Sequence, residues 1–447
     1  MIFRGRLLLF VGFAFAVMAD PVSSVAYAIE AALRALHGDL TLLLPTMALV
    51  IALVAIVVVN YQQIVARFPR GGGAAAATSL AFGQGVAFVP LGALIVDFVL
   101  TIAISVAAAA SAIIASAPSL PPGRLAIAVV LVVGVAGLSY FGHGGRLIFA
   151  TMTLAFIAVS AVVIVMSLAT TPAAGMTTPS VPGQPTDPAR IAAIILAFPV
   201  AMALATGVEA PASAIAQLGQ LDDDGRRGFG RWTLWATLAV VGTLTLGLTI
   251  AVVRLGIGIP PSDSTELAEL ARRASPAPVF VVFQISSAVL LLAAASSSFQ
   301  AGPGLLKALA RDGAAGILPA RFGVTNRHHT PIWGVVACLL AAIIVLGLAG
   351  AHDQELVLFY AVAVFMSFLA GLSAMAKIHA AEGLLRRLAL DVVGIGVVAF
   401  TLLANLARGW PLLSLAAALA IAGGLHRLWV NAGRPVGSAA GGETIPE

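Results

Sequence analysis

Charge is scarce in this chain: Asp, Glu, Lys and Arg make up 10% of its 447 residues, while 60% are hydrophobic. With a mean hydropathy of +1.05, that scarcity excludes an ordinary soluble enzyme and points to an all-α polytopic membrane protein whose solvent is the lipid bilayer. Cysteine is reduced to Cys338 alone, so no intrachain disulfide can form, and its apolar surroundings argue against a catalytic thiol. Lysine is limited to Lys307 and Lys377, leaving arginine as the main cation. The pI near 10 raises the question of nucleic acid, but the basic residues stand singly between apolar runs, and a membrane accounts for them. The seven histidines (His37, His143, His328, His329, His352, His379 and His426) fall in loops or at the ends of apolar runs. No haem or metal site within the membrane is expected, and neither a cofactor nor an enzymatic activity is expected.

What is present is a series of long apolar runs. They give about twelve expected spans, at 7–36, 40–60, 85–115, 124–142, 147–170, 191–218, 232–254, 278–299, 332–350, 355–376, 389–406 and 411–430. With the amino terminus inside, 17 of the 24 Lys and Arg lie on inner loops and 7 on outer ones. The positive-inside rule therefore places both termini in the cytoplasm of a multi-pass cell-membrane protein. Arg4 and Arg6 before the apolar residues 7–19 also look like a secretory signal, but residues 22–36 stay apolar and favour a span. Residues 171–189 are expected to be an irregular external loop, and 303–327 a cytoplasmic amphipathic segment. Residues 262–274 are expected to form a short external helix opened by the capping signal Ser262-Asp263-Ser264-Thr265-Glu266. Gly71-Gly72-Gly73 reads as a turn, and Asp222-Asp223-Asp224-Gly225-Arg226-Arg227 as a solvated loop.

Two runs are interrupted in the same manner. The first, 7–36, is too long for one crossing and too short for two, and holds Met18-Ala19-Asp20-Pro21-Val22-Ser23-Ser24 near its centre. The sixth holds Thr206-Gly207-Val208-Glu209-Ala210-Pro211-Ala212-Ser213. Each has an acid, a proline and a serine, which predicts a helix broken at mid-membrane. Paired breaks of this kind mark the substrate site of an inverted-repeat transporter. The deep acids are Asp20, Glu209 and Asp97, with Glu30 and Asp391 nearer span ends. Asp20 and Glu209 can both cap half-helices and bind cargo, whereas Asp97 reads equally well as a structural partner within the bundle.

Hydroxyls accompany the acids. Thr101 and Ser105 share one face of span three with Phe98, Tyr27 lies one turn beyond Ser23, and Tyr360 sits inside span ten. Tyr61 and Tyr140 are placed at span ends, as interface anchors. Alone, Thr101 or Ser105 reads as a back-bonded or packing residue. Together with two acids and two interior tyrosines they form an oxygen cage suited to a small dehydrated cation, which also repels a free amino acid's carboxylate. An acid at that depth can carry a proton as well.

The segments Asp20-Pro-Val-Ser-Ser-Val-Ala-Tyr27, Asp97-Phe-Val-Leu-Thr101-Ile-Ala-Ile-Ser105, Thr206-Gly-Val-Glu209 and Phe359-Tyr360-Ala-Val-Ala-Val-Phe365 resemble the KimA-type potassium permeases of the amino acid-polyamine-organocation superfamily. Tyr61-Gln62-Gln63 through Gly73, and Ala310-Arg311-Asp312-Gly313 with Leu318-Pro319, extend the likeness. The resemblance implies a LeuT-like fold with broken spans one and six. Its inverted repeats would be 1–172 and 173–380, followed by peripheral spans at 381–432 and a disordered cytoplasmic tail at 433–447. It implies proton-coupled potassium uptake, with the ion held by Asp20, Tyr27, Thr101, Ser105, Thr206, Glu209 and Tyr360, and with Asp20 or Glu209 carrying the proton. Phe98 stands where the family's motif has a tyrosine, so one hydroxyl contact is missing. The cytoplasmic domain that supports dimerisation in the family is expected to be lacking, which leaves a homodimer open. The alternative is an amino acid or amine permease of the same superfamily.

Overall fold

The computed structural model describes residues 2–117, 123–141, 146–171, 188–310 and 316–435. Residues 172–187 of the expected external loop at 171–189, Arg311 and Asp312, and the tail from 436 onward lie outside the described residues. Within them the chain is helical nearly throughout, and the sole β pairing is one bridge between Thr325 and Pro331.

Span one is α1 (Ile2–Val17) with α2 (Ala19–Ala35), followed by α3 (Leu40–Arg67), the short α4 (Gly73–Phe82) and α5 (Gln84–Ser116). Next come α6 (Arg124–Tyr140), α7 (Arg146–Ala169), then α8 (Pro188–Ala201) and α9 (Ala210–Ala214), which bracket the interruption of span six. The remainder is α10 (Asp223–Leu255), α11 (Glu266–Ala274), α12 (Ala277–Leu309), α13 (Ile332–Leu348), α14 (Asp353–Ala381), α15 (Leu385–Leu406) and α16 (Leu412–Asn431). Among the described residues ten segments are long and apolar enough to cross a membrane. α6 and α13 occupy the expected fourth and ninth positions but have 17 residues each, about 26 Å at the helical rise.

Several helices overrun their apolar stretches because polar residues cap or continue them. Asp222 is the N-cap of α10, its carboxylate accepting from the Gly225 amide at 3.0 Å. Asp223 and Asp224 occupy the first turn and pair with Arg226 and Arg227. The expected solvated loop is therefore the first turn of a helix, stabilised where acids meet the positive end of the helix dipole. α12 similarly runs to Leu309, so the expected separate segment from 303 begins as the end of that helix. The short external helix is present as α11, with Thr265 as its cap, accepting from the Ala268 amide at 3.2 Å. α4 was not expected; the left-handed turn at Gly71 and Gly72 leads directly into it.

The bundle is organised around α5 and α14. In their apolar stretches 78% and 72% of residues are buried, against 22% in α16, which therefore lies at the periphery. α5 packs between α12 and α14, while α10 packs on α3 and α15 on α14. The chain around the second interruption, residues 201–208, is buried, while the outer parts of α1 and α8 reach the surface at Leu8 and Leu196.

Candidate functional site

The first interruption is slight. Met18 keeps helical torsions (φ −69°, ψ −13°), its amide donates to Ala14 at 2.9 Å, and Val22 donates to its carbonyl at 2.9 Å. Pro21 lacks an amide and so removes one helical hydrogen bond, to Val17, without unwinding the chain. The expected break over 18–24 is thus corrected to an interruption at a single residue. Asp20 forms no side-chain cap.

The second interruption is complete. A 3₁₀ turn over Met202–Ala205 tightens the end of α8, Thr206 is extended (φ −65°, ψ 142°) and Gly207 is left-handed (φ +76°). Pro211 then sits in the first turn of α9, where a missing amide costs nothing. Asn405 of the peripheral α15 donates to the Pro199 carbonyl at 3.0 Å and steadies the approach to the gap.

The two interruptions meet. A Cβ on Gly207 would lie 2.8 Å from Asp20 Cγ and Oδ2 and 2.9 Å from Pro21 Cδ. Glycine is therefore required here both by the torsion and by the closeness of the Asp20 carboxylate. A chain of hydroxyls ties the same elements together. Thr206 Oγ1 donates to the Ala203 carbonyl at 2.7 Å, and Ser24 Oγ lies 2.8 Å from both Thr206 Oγ1 and the Tyr27 hydroxyl. Since the Thr206 proton is used by Ala203, the remaining order is Ser24 donating to Thr206 and Tyr27 donating to Ser24. That order leaves Tyr27 with free lone pairs. Across the site Thr101 donates to the Tyr360 hydroxyl at 2.8 Å, which leaves the Tyr360 proton available.

Three carboxylates face this network. Asp97 lies within Coulombic range of Glu209 and Asp20, and Tyr360 within range of Asp20 and Asp97. Asp20 Oδ1, Asp97 Oδ1, Glu209 Oε2 and Ser105 Oγ are all sequestered without a hydrogen-bond partner. None of the three acids is among the ion-paired acids of the described residues. Leaving a buried polar group unsatisfied costs about 1–3 kcal/mol, more if it is charged. Such a concentration of orphaned oxygens at one point marks a site made for a donor or a cation that arrives from outside. Among the described residues no three His, Cys, Asp or Glu side chains converge closely enough to hold a metal ion, so the cage mixes carboxylates with hydroxyls.

Every expected site residue except Phe98 is thus tied into one region, or in the case of Ser105 lies buried on the same helix as Thr101 and Asp97. The Phe98 ring packs against Gly302 of α12, beside the Cys338 sulfur. Sequence reasoning misplaced Tyr61. It is fully buried rather than an interface anchor, stacked edge-on with Phe368 at 5.4 Å and within Coulombic range of Glu209 and Asp97. The polar run Asn60-Tyr61-Gln62-Gln63 reads as the end of a span, whereas α3 continues to Arg67. Tyr140, by contrast, is exposed at the end of α6.

Comparison with known proteins agrees with the fold. The potassium transporter KimA of Bacillus subtilis is 28% identical over 365 residues, covering 78% of this chain and 58% of that protein. The chain thus aligns with less than two thirds of that relative. A crystal structure of a manganese transporter mutant (H236A) from Eremococcus coleocola superposes with a TM-score of 0.50 at 17% identity, over 95% of this chain and 94% of the other. That likeness concerns the fold. A family model described as amino acid permease matches residues 8–422. Carrying ten segments long and apolar enough to cross a membrane among its described residues, and matched over residues 8–422, the chain belongs to the amino acid permease family, within the amino acid-polyamine-organocation superfamily.

Proposed function

We propose that the protein imports potassium or a similar monovalent cation together with protons, by alternating access. The observation that carries this reading is the group of sequestered, unpaired carboxylate oxygens on Asp20, Asp97 and Glu209. A cation arriving in this region meets unpaired carboxylate oxygens, with hydroxyls completing its shell, whereas an amino acid's carboxylate meets repulsion. Thr206, Tyr27, Thr101, Ser105 and Tyr360 supply hydroxyl oxygens in place of the ion's water. Asp20 or Glu209 carries the coupled proton. A LeuT-like pair of inverted repeats, twelve spans in all and cytoplasmic termini complete the proposal. The inward membrane potential would contribute about 2.3 kcal/mol per charge per 100 mV.

The family match favours a second reading, a permease for a cationic amine or amino acid, because an ammonium group satisfies the same oxygens. Expression in a bacterium stripped of its own potassium importers separates the two. Growth at low potassium with no uptake from a labelled amino acid and amine panel is expected; amine uptake without potassium rescue would select the second reading.

A further inference from the structure

A second cluster of buried acids lies away from the cage, where α11 meets the carboxyl-terminal part of α2. Glu30 Oε2 accepts from the Glu266 amide at 3.0 Å, and Glu30 Oε1 accepts from Arg34 Nε at 2.8 Å. Arg34 also donates to the Pro260 carbonyl at 3.3 Å. A carboxylate 236 positions away thus satisfies the first turn of α11. The Glu266 side chain itself is fully buried, and both its carboxyl oxygens lack a partner.

The charges around it are few. Glu30 and Arg34 approach from α2, and Glu269 from α11 itself. On α11, Arg272 pairs with Glu269, and Arg273 follows it. Asp353 of α14 acts on Glu30 and is occupied by Ser111 at 2.9 Å and by Arg124 at 3.9 Å. Arg254 near the end of α10 is exposed. α5, α7 and α12 also touch α11. The sole charged residues of these three helices are Asp97, Arg146 and Lys307 respectively, and none of them is among the charges that act on Glu266.

Arg34 is already engaged by Glu30, so a charged Glu266 would be a buried anion beside a second anion, without one hydrogen bond. A neutral acid in that position costs far less. We propose that the Glu266 carboxyl is a proton-binding site separate from the cage, and that its proton latches α11 onto α2. Losing that proton sets two carboxylates against each other across the α2–α11 contact and releases α11. The adjoining pocket, lined by Ala26, Ala112, Thr265, Gln284 and Asp353, then opens. The transport reading gives this latch its purpose, but its chemistry does not depend on the cargo.

Burial, reinforced by the nearby Glu30, pushes the Glu266 carboxyl from an ordinary 4.5 up to about 9. A group whose pKa is raised in the packed state contributes most below its free value and loses that contribution as pH rises through the packed value. The latch is therefore strongest below about pH 4.5 and fails as pH approaches about 9.

The test uses purified full-length protein without transport, so that its outcome is independent of the cargo assignment. With Cys338→Ala as background, thiol labelling is followed at Ala112→Cys in the pocket. Ser116→Cys, in the neighbouring open cleft of ≈ 320 Å³, serves as reference for thiolate reactivity. The Ala112/Ser116 labelling ratio is expected to rise at least about fivefold between about pH 6 and about pH 9, and to stay low in Glu266→Gln. Glu30→Gln retains a carbonyl for the Glu266 amide and removes the neighbouring charge, so Glu266 is expected to titrate at lower pH and the labelling rise to shrink, because no second carboxylate remains to repel it. In parallel, infrared titration of the native protein is expected to show a neutral carboxylic acid that ionises near pH 9. The proposal is overturned by an equal rise in Glu266→Gln. It is also overturned by a flat ratio in the native protein or, should Glu266→Gln fail to fold, by a neutral-acid titration that Glu30→Gln does not move.

Discussion

Spans one and six carry the same short vocabulary of acid, proline and serine, yet they fold differently. In span one the proline falls at the third residue of α2, removes one hydrogen bond and leaves a nearly continuous helix. In span six the proline follows the acid by two residues, and the chain is undone ahead of it by extended Thr206 and left-handed Gly207. Proline alone therefore does not open a helix here; a glycine able to adopt positive φ does. The result is a division of labour. Span one presents side chains from a rigid helix, while span six supplies the gap into which the Asp20 carboxylate fits.

Substitutions can break or sharpen this contrast. The largest effect is expected at Glu209, the acid of the open gap. Glu209→Gln should abolish cation uptake while the protein still inserts, and native rubidium uptake by that variant would remove the site. Next is Gly207→Ala, which places a methyl 2.8 Å from the Asp20 carboxylate and forces a left-handed alanine. A loss of about 1–3 kcal/mol in stability is expected by chemical denaturation, with uptake severely reduced. Native stability in that variant would mean the two interruptions do not press together.

How much of this was legible in the sequence depends on which force set each feature. Apolar run length located the long helices, because burying backbone in lipid leaves few other choices. The acids and hydroxyls of the site stood out because each is costly in a membrane. Tyr61 was hidden, since its polar neighbours mimic a span end and only the packing of α3 beyond Asn60 reveals it as interior. The state of the span-one interruption was equally hidden, because a proline near the start of a helix and one in its middle differ by torsions that composition does not record. The first turn of α10 was misread as a loop because capping acids and solvated acids look alike until their amides are seen.

Smaller effects should fall on span one. Pro21→Ala restores an amide to a helix that is already continuous, so uptake is expected to change little and stability to shift by under about 1 kcal/mol. Abolished transport in Pro21→Ala would show that the single lost hydrogen bond is itself part of the mechanism. The smallest effect is expected at Phe98, whose ring rests against Gly302. Phe98→Tyr should alter apparent potassium affinity by under about 1 kcal/mol, and a larger gain would place that hydroxyl in the cage.

The sharpest measurement of the account is counterflow in vesicles containing the purified protein, with rubidium and a zwitterionic amino acid offered together. Trapping of rubidium by the native protein, lost in Glu209→Gln, and indifference to the amino acid are the predicted results. Accumulation of the amino acid with no trapping of rubidium would contradict the claim that unpaired carboxylates at the meeting of spans one and six choose a positively charged cargo.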